Sequence, residues 1–382
     1  MKKKSHLSKS TTCVQSGGIH DSTTGGVITP IYPSTAIDYI HVDVSMYPRY
    51  FNTPNQKVVA EKIAALENGE RAIIFSSGMA AIMTAAFTFL RKGDHAIFQS
   101  DLYGGTQNAI KTEFNKFGID HTLVDATKTE NIEPAILPNT KLIFIESPSN
   151  PLLKIVDIAK VAKLGKKNKI ITMIDNTFAT PINQTPIDLG IDIVMHSATK
   201  YLAGHSDLIS GVLVTTKKLA ERIITSAINY GGNVNAITCY LLERSIKTLA
   251  VRVETQNKNA MALAKYLENH SKIERVHYPG LKTHHNYAIA RKQMIGFGGM
   301  VSFEIKGGVK ASSKFISKLK IIKSTNSLGG IETILCAPAK TSHAKISFDE
   351  RVKLGIKEGL IRMSVGIEGV EDLKQDIENA LR

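Results

Sequence analysis

Short apolar runs separated by helix-length amphipathic stretches dominate the first two thirds of the chain. The runs at 72–75, 95–98, 141–145, 170–174, 191–195 and 208–214 have the length and content of buried strands. Segments between them, such as 79–90 and 155–163, carry apolar residues at helical spacing. This alternation predicts a mainly parallel sheet covered on both faces, an α/β architecture. Near residue 245 the pattern changes. Residues 237–267, with Leu241, Leu242, Ile246 and Leu249 at helical spacing, predict one or two long helices. Val301, Phe303 and Ile305 then alternate with Ser302, Glu304 and Lys306, and Ile361, Met363 and Val365 alternate with Arg362 and Ser364. That period is the mark of half-buried antiparallel strands. Val370, Leu373, Ile377 and Leu381 close the chain as an amphipathic helix.

At 382 residues the chain exceeds the roughly 250–300 at which a single hydrophobic core stops growing. The pattern divides it into a large domain at 51–245 and a smaller α+β domain at 246–382. Residues 1–50 hold Gly17, Gly18, Gly25, Gly26 and several prolines without a clear period, and read as an extended arm needing another surface. A composition 43% hydrophobic and 21% charged excludes a disordered or fibrous chain. No stretch approaches the roughly 18 uninterrupted apolar residues of a membrane helix, and the basic start MKKKSHLSKS is not followed by an apolar segment. These features predict a soluble, unexported chain without a membrane partner. Cys13, Cys239 and Cys336 are far apart and unpaired, which fits a reducing cytoplasm and suggests no structural metal. The net charge of +14 is spread along the chain instead of gathered into a stripe with aromatics, so solvated helix faces explain it better than a nucleic-acid partner.

Ligands of open parallel sheets bind beyond the carboxyl ends of the strands. In this chain, small, hydroxylic and ionisable residues follow one strand after another. They are Ser76-Ser77-Gly78-Met79, Asp101-Leu102-Tyr103-Gly104-Gly105-Thr106, Glu146-Ser147-Pro148-Ser149-Asn150-Pro151, Asp175-Asn176-Thr177 and His196-Ser197-Ala198-Thr199-Lys200. A single polar turn needs no functional explanation, but five at one sheet edge point to a site. Gly78 and Met79 open a helix, where free N–H groups favour an anion such as phosphate. Ser197 and Thr199 set two hydroxyls before Lys200, whose amine, if buried, can lose its proton and attack a carbonyl. Asp175 either caps its own turn or holds a pyridinium nitrogen protonated. Tyr103 either stacks on an aromatic ring or fills the core.

With these residues the chain resembles the Cys/Met-metabolism family of pyridoxal-phosphate enzymes from about residue 29 to the C-terminus. The most specific motif is Ser197-Ala198-Thr199-Lys200-Tyr201-Leu202-Ala203-Gly204-His205-Ser206-Asp207. Asp175-Asn176-Thr177-Phe178, Ser327-Leu328-Gly329-Gly330-Ile331-Glu332 and Ile361-Arg362-Met363-Ser364-Val365-Gly366 follow the family in order and spacing. The resemblance implies fold type I, the aspartate-aminotransferase-like fold with a seven-stranded sheet, and the cofactor pyridoxal 5'-phosphate. It also implies a homotetramer built as a dimer of dimers and a small sulfur amino acid as substrate. Lys200 matches the cofactor lysine and general base, Asp175 the pyridine-nitrogen partner, and Tyr103 the ring-stacking tyrosine. Gly78, Met79, Ser197 and Thr199 match the phosphate contacts made within one subunit, while Tyr47 and Arg49 match residues that reach a neighbour's phosphate. Tyr103 and Tyr47 are the candidates for proton transfer to the leaving group. Arg362 matches the arginine for the substrate α-carboxylate, with Ser327 and Asn150 beside it.

The reactions implied are first γ-cleavage or γ-synthesis of cystathionine, then β-cleavage or sulfhydrylation of an O-acyl-homoserine. Glu332 matches a glutamate that supports a substrate with a distal amino group, whereas Asn108 stands where an arginine is usual and where sulfhydrylases often have asparagine. Gly105 replaces the cysteine usual in methionine γ-lyases. A nicotinamide dehydrogenase is the alternative on fold alone, but no G-x-G-x-x-G follows the first strand, and Gly296-Phe297-Gly298-Gly299 precedes an alternating strand instead of a helix. A P-loop, an H-E-x-x-H pair and a G-x-S-x-G elbow are absent from the sequence. His284-His285 is expected in an exposed loop.

Overall fold

The computed structural model describes residues 7–41, 45–344 and 347–382. Seven strands form the main sheet: β1 (Arg71–Phe75), β2 (His95–Gln99), β3 (Asp120–Val124), β4 (Thr140–Glu146), β5 (Ile171–Asp175), β6 (Ile193–Ser197) and β7 (Gly211–Thr215). Their order is β1-β7-β6-β5-β4-β2-β3, and β7 alone runs against its neighbours. The helices of this part are α1 (Lys9–Gln15), α2 (Pro54–Leu66), α3 (Gly78–Phe89), α4 (Gly104–Ala109), α5 (Ile158–Asn168), α6 (Thr180–Asn183), α7 (Lys217–Tyr230), α8 (Ala236–Ile246) and α9 (Leu249–Glu268).

Because side chains alternate along a strand, the near-continuous apolar runs supply two cores at once. Ile73, Phe75, Phe98, Phe144, Met173 and Met195 pack with α3 and α7 on the front face. Ile74, Ile97, Ile143, Ile145, Ile174 and Val194 pack with α2, α5 and α8 on the rear. The helix starts are fixed locally. Ser77 Oγ accepts the Ala80 N–H to begin α3, and Asp157 accepts the Lys160 N–H to begin α5. Asp157 therefore moves the start of the helix expected at 155 to Ile158.

A second sheet, ordered β10-β11-β12-β9-β8, contains β8 (Ile273–His277), β9 (Met300–Ile305), β10 (Lys323–Ser324), β11 (Ile334–Cys336) and β12 (Leu360–Ser364). Helices α10 (Tyr287–Gln293), α11 (Gly308–Lys318), α12 (Phe348–Leu354) and α13 (Val370–Leu381) accompany it. The long helix α9 serves both cores, with Leu249 and Val253 in the first and Leu263 and Leu267 in the second.

Several expectations change. β9 and β12 are buried on both faces, not half-buried, because the polar face lies against the first sheet's loops: Ser302 donates to the Pro151 carbonyl at 2.6 Å. The run at 208–214 becomes a strand only from Gly211. The edge strand β3, whose sequence Asp-His-Thr-Leu-Val has no apolar run, escapes the hydrophobic pattern. The arm is not wholly extended, since α1 seats Cys13 in the rear core. His284 is buried and stacked on His285 at 4.7 Å, not exposed, and burial pushes its imidazole down to about 3. Among the described residues no helix is long and apolar enough to cross a membrane.

Gly211 lies directly beneath the start of α3. A Cβ there would overlap the Ser77 carbonyl oxygen and lie 2.8 Å from the Gly78 nitrogen, both backbone atoms that cannot rotate away. Gly211→Ala is expected to cost about 1–3 kcal/mol, the scale of overpacking. Thermal or urea unfolding of the variant beside the parent checks this.

Candidate active site

The carboxyl ends of β4, β5 and β6 face a cavity of about 530 Å³. Strand register sets its floor: Glu146 lies opposite Asp175, and Asp175 opposite Met195. In-register neighbours share a sheet face, so all three line the cavity. Glu146 accepts the N–H groups of Tyr103 and Asn150, each at 2.9 Å, while Asp175 accepts the Thr177 N–H at 2.9 Å. Burial raises both carboxyls. Glu146 goes well above the usual carboxylate range because Asp175 lies beside it, whereas Asp175 is held back by its bonds to Thr177 and by His196. The proton of this pair belongs on Glu146 and the negative charge on Asp175.

One wall is the beginning of α3. A Cβ at Gly78 would lie 2.9 Å from Met195 Cε and 3.1 Å from Ser197 Cβ, so glycine lets the helix press against the end of β6. The first N–H groups of a helix have no intrahelical acceptor. With Ser77, Ser197 and Thr199 nearby they form a polar end suited to phosphate. Thr199 Oγ1 also accepts the Ser210 N–H at 3.0 Å and faces the Ser210 carbonyl at 3.2 Å, which ties the following loop to the start of β7.

Lys200 Nζ donates to Ser327 Oγ at 2.9 Å, and its pKa is lowered by burial and secondarily by Arg362. Behind it, buried Arg252 of α9 donates to the carbonyls of Tyr201 at 2.8 Å and Ser245 at 2.9 Å. Gly204, at φ +70°, leaves the room that this guanidinium occupies. Arg362 crosses from β12, donating Nη1–H to Asn150 Oδ1 at 2.9 Å and Nη2–H to the Ser327 carbonyl at 3.1 Å. Its buried Nε has no hydrogen-bond partner among the described residues. A cavity-lining guanidinium with a spare donor is suited to a carboxylate.

The cavity thus gathers Gly78, Met79, Tyr103, Asn150, Asp175, Ser197, Thr199, Lys200, Ser327 and Arg362. It does not include Tyr47, Arg49 or Glu332 of the same chain. Arg49 packs over the Tyr47 and Tyr50 rings and donates to the Ile228 carbonyl at 2.8 Å, and Glu332 and Asn108 are exposed. Sequence reasoning gave no role to Glu146, although two carboxyl residues ending consecutive parallel strands were a usable signal. Arg252, Thr341 and Ser342 carried no such signal, because their place depends on packing between distant segments.

A sheet-edge cavity joining a buried amine, a buried carboxylate and an anion-binding helix start is the site of a fold type I carbonyl-cofactor enzyme. The chain belongs to the family of Cys/Met metabolism PLP-dependent enzymes, whose profile matches residues 10–382. Cystathionine gamma-lyase of Bacillus subtilis is 42% identical over 98% of this chain and 99% of its own length. Cystathionine beta-lyase of Coxiella burnetii is also 42% identical, over 99% and 98%. L-methionine gamma-lyase of Fusobacterium nucleatum is 42% identical over 88% and 86%. The crystal structure of cystathionine gamma-lyase from Lactobacillus plantarum complexed with L-serine superposes with a TM-score of 0.94 at 39% identity, covering 98% of both chains.

Pyridoxal 5'-phosphate is the family's cofactor, and the residues present fit it. Asp175 is a buried carboxylate without a cationic hydrogen-bond partner among the described residues, the start of α3 lines the cavity as a site suited to an anion, and Lys200 lines the same cavity.

The depressed pKa of Lys200 has a stability consequence. The cofactor-free folded chain binds fewer protons than the unfolded chain between the lowered value and the ordinary 10.5. The penalty is full below the folded-state value and disappears as pH rises past 10.5. Cofactor-free Lys200→Met is therefore expected to melt above the cofactor-free parent at neutral pH, with the gap closing in alkali. Melting temperatures across pH check it.

Proposed function

We propose that this C–S lyase cleaves cystathionine at Cγ, consuming water and releasing cysteine, 2-oxobutanoate and ammonia. The observation carrying the amino-acid substrate is that Arg362, a guanidinium, lines the cavity it shares with Lys200. The choice of Cγ is supported by the Bacillus subtilis relative, and cleavage at Cβ is the second reading, supported by the Coxiella burnetii relative at the same identity. Synthase and sulfhydrylase reactions follow as alternatives. Glu332 lends a distal amino group no support from within its own chain, because it lies outside the cavity, where Asn326, Thr341 and Ser342 offer neutral contacts.

In this reading Arg362, steadied by Asn150 and Ser327, binds the α-carboxylate and sets Cα beside Lys200. Pyridoxal phosphate, when bound, supplies an electron sink for the pair left as the Cα proton departs. Lys200 Nζ, made a better base at neutral pH by burial, takes that proton, and Ser327 Oγ holds the amine in place. Cleavage at Cγ requires a second proton to leave Cβ, whereas β-cleavage needs only the first. Tyr103, at the half-exposed rim, covers the site and carries a proton to the departing sulfur. Asp175 holds the proton at the ring nitrogen, and Gly78, Met79, Ser197 and Thr199 hold phosphate. Tyr47 and Arg49 belong to a neighbour's site in a homotetramer, a reading supported by their not lining their own chain's cavity and by the 88% exposure of both Val27 and Tyr39 on the arm.

Lys200→Ala is expected to abolish the visible absorption gained with pyridoxal phosphate and to lower cystathionine turnover by at least about 100-fold. Cysteine with 2-oxobutanoate supports the γ reading, homocysteine with pyruvate supports the β reading, and a visible band without cleavage overturns both. Arg362→Leu is expected to raise KM roughly 10–100-fold, the value of lost charged hydrogen bonds, with the absorption band retained. Steady-state kinetics check this.

A further inference from the structure

The catalytic roles proposed for the cavity leave unused a buried carboxyl–imidazole pair on the opposite side of its floor. Glu67, which caps the end of α2, and His196 of β6 are both almost wholly buried, and Glu67 Oε1 lies 2.6 Å from His196 Nε2. The same oxygen accepts from Asn176 Nδ2 at 2.9 Å. Asn176 Oδ1 in turn accepts from Gln184 Nε2 at 2.9 Å, which also reaches the Ser147 carbonyl at 3.0 Å.

Alternation along the strands gives this cluster its meaning. Asp175 and Ser197 turn toward the cavity, and the residues adjoining them, Asn176 and His196, turn to the rear face, where one carboxylate holds both. Glu67 therefore pins the end of β5 to the end of β6 at the two places where a ring nitrogen and a phosphate have to be spaced. Among the described residues Glu67 Oε2 is buried without a hydrogen-bond partner, an arrangement costly for a carboxylate unless a cation lies beside it. The His196 imidazole lies against this carboxyl group. From α1, Lys9 also faces Glu67 and donates to the Leu66 carbonyl next to it. On the cavity side, Asp175 meets Glu146 from β4, which burial and the Asp175 charge hold in its protonated form.

We infer that Glu67 and His196 are positioning residues which, from the rear of the sheet, fix Asp175 where the cofactor ring nitrogen would bind. This rests on the assignment of Asp175 made under the proposed function. A purely structural brace would support any ligand of the cavity equally. A device acting through Asp175 favours a ring that can carry a proton.

The test compares the dissociation constants of pyridoxal 5'-phosphate and of its carbocyclic analogue, in which C–H replaces the ring nitrogen, for the full chain stripped of cofactor and reconstituted. Glu67→Gln keeps the shape and an acceptor oxygen while removing the charge. It is expected to weaken pyridoxal phosphate about 10-fold, the scale of losing an outer partner of a ligand-holding group, and the analogue less than 2-fold. His196→Gln is expected to behave alike and decides the matter where Glu67→Gln does not fold. Equal weakening of both ligands, or of neither, overturns the inference. Asp175→Ala separates the two levels. If it discriminates between the ligands and the rear-face variants do not, only this inference falls. If it treats them alike, the ring-nitrogen assignment falls and this inference with it.

Discussion

The rest of the site depends on two carboxyl groups, Glu146 and Asp175, being held side by side out of water. Register between β4 and β5 leaves them no freedom to separate. Like charges at such spacing in a medium of low polarity cannot both be ionised cheaply, so their surroundings have to choose which keeps its proton. Burial and the neighbouring Asp175 push Glu146 up, while Thr177 and His196 favour the charge on Asp175. The result is one negative charge at one known place, with a neutral group beside it that still accepts the backbone N–H groups of Tyr103 and Asn150. The carboxyl pair thereby also places the side chain at the cavity rim and the amide that steadies Arg362.

Around this floor, the two sheets are joined by polar side chains whose partners lie far away in sequence. Arg362 reaches Asn150 from β12, Ser302 reaches Pro151 from β9, and Arg252 grips the turn after Lys200 from α9. These bonds are buried, and a donor removed from such a place leaves an acceptor without water, which costs more than the bond contributes in isolation. The relative placement of Lys200 and Arg362 is therefore set by tertiary bonding and not by the loop that carries the lysine. Lys200 itself meets Ser327, a residue of the second sheet's surroundings held at φ +97°. Strained backbone of this kind persists only where neighbouring structure determines it.

The main sheet was legible because buried parallel strands leave apolar runs that no other element leaves in such short, evenly separated form. For the same reason β3 was not legible: an edge strand needs only one protected side, and Asp120 and His121 break its run. Arg362 was legible as facing away from Ile361 and Met363, but the alternation gave no hint that its face would be covered as fully as theirs. Tertiary contact with the first sheet's loops decided that. His284 shows the opposite error, since a pair of adjacent histidines reads as polar, yet one ring is buried with its Nε2 unpartnered. The cavity residues recovered from sequence were those in local motifs at strand ends. Glu146 stood in such a motif without a role, whereas Glu67 and Arg252 act across folds of the chain that no local pattern encodes.

The cavity before cofactor binding is a costly arrangement. Burial and the nearby Arg362 depress Lys200, burial and the Asp175 charge raise Glu146, and among the described residues Arg362 Nε has no hydrogen-bond partner. Each of these features places a charge or a donor out of water at a cost to the folded state. A ligand that brings a cationic ring nitrogen to Asp175, an anion to the start of α3 and a carbonyl to Lys200 meets the charges in the places where they are least satisfied. Binding such a ligand to the folded state alone stabilises that state in proportion to its affinity. The same local frustration that weakens the empty chain thus selects the cofactor and, through Arg362, leaves one site ready for a carboxylate.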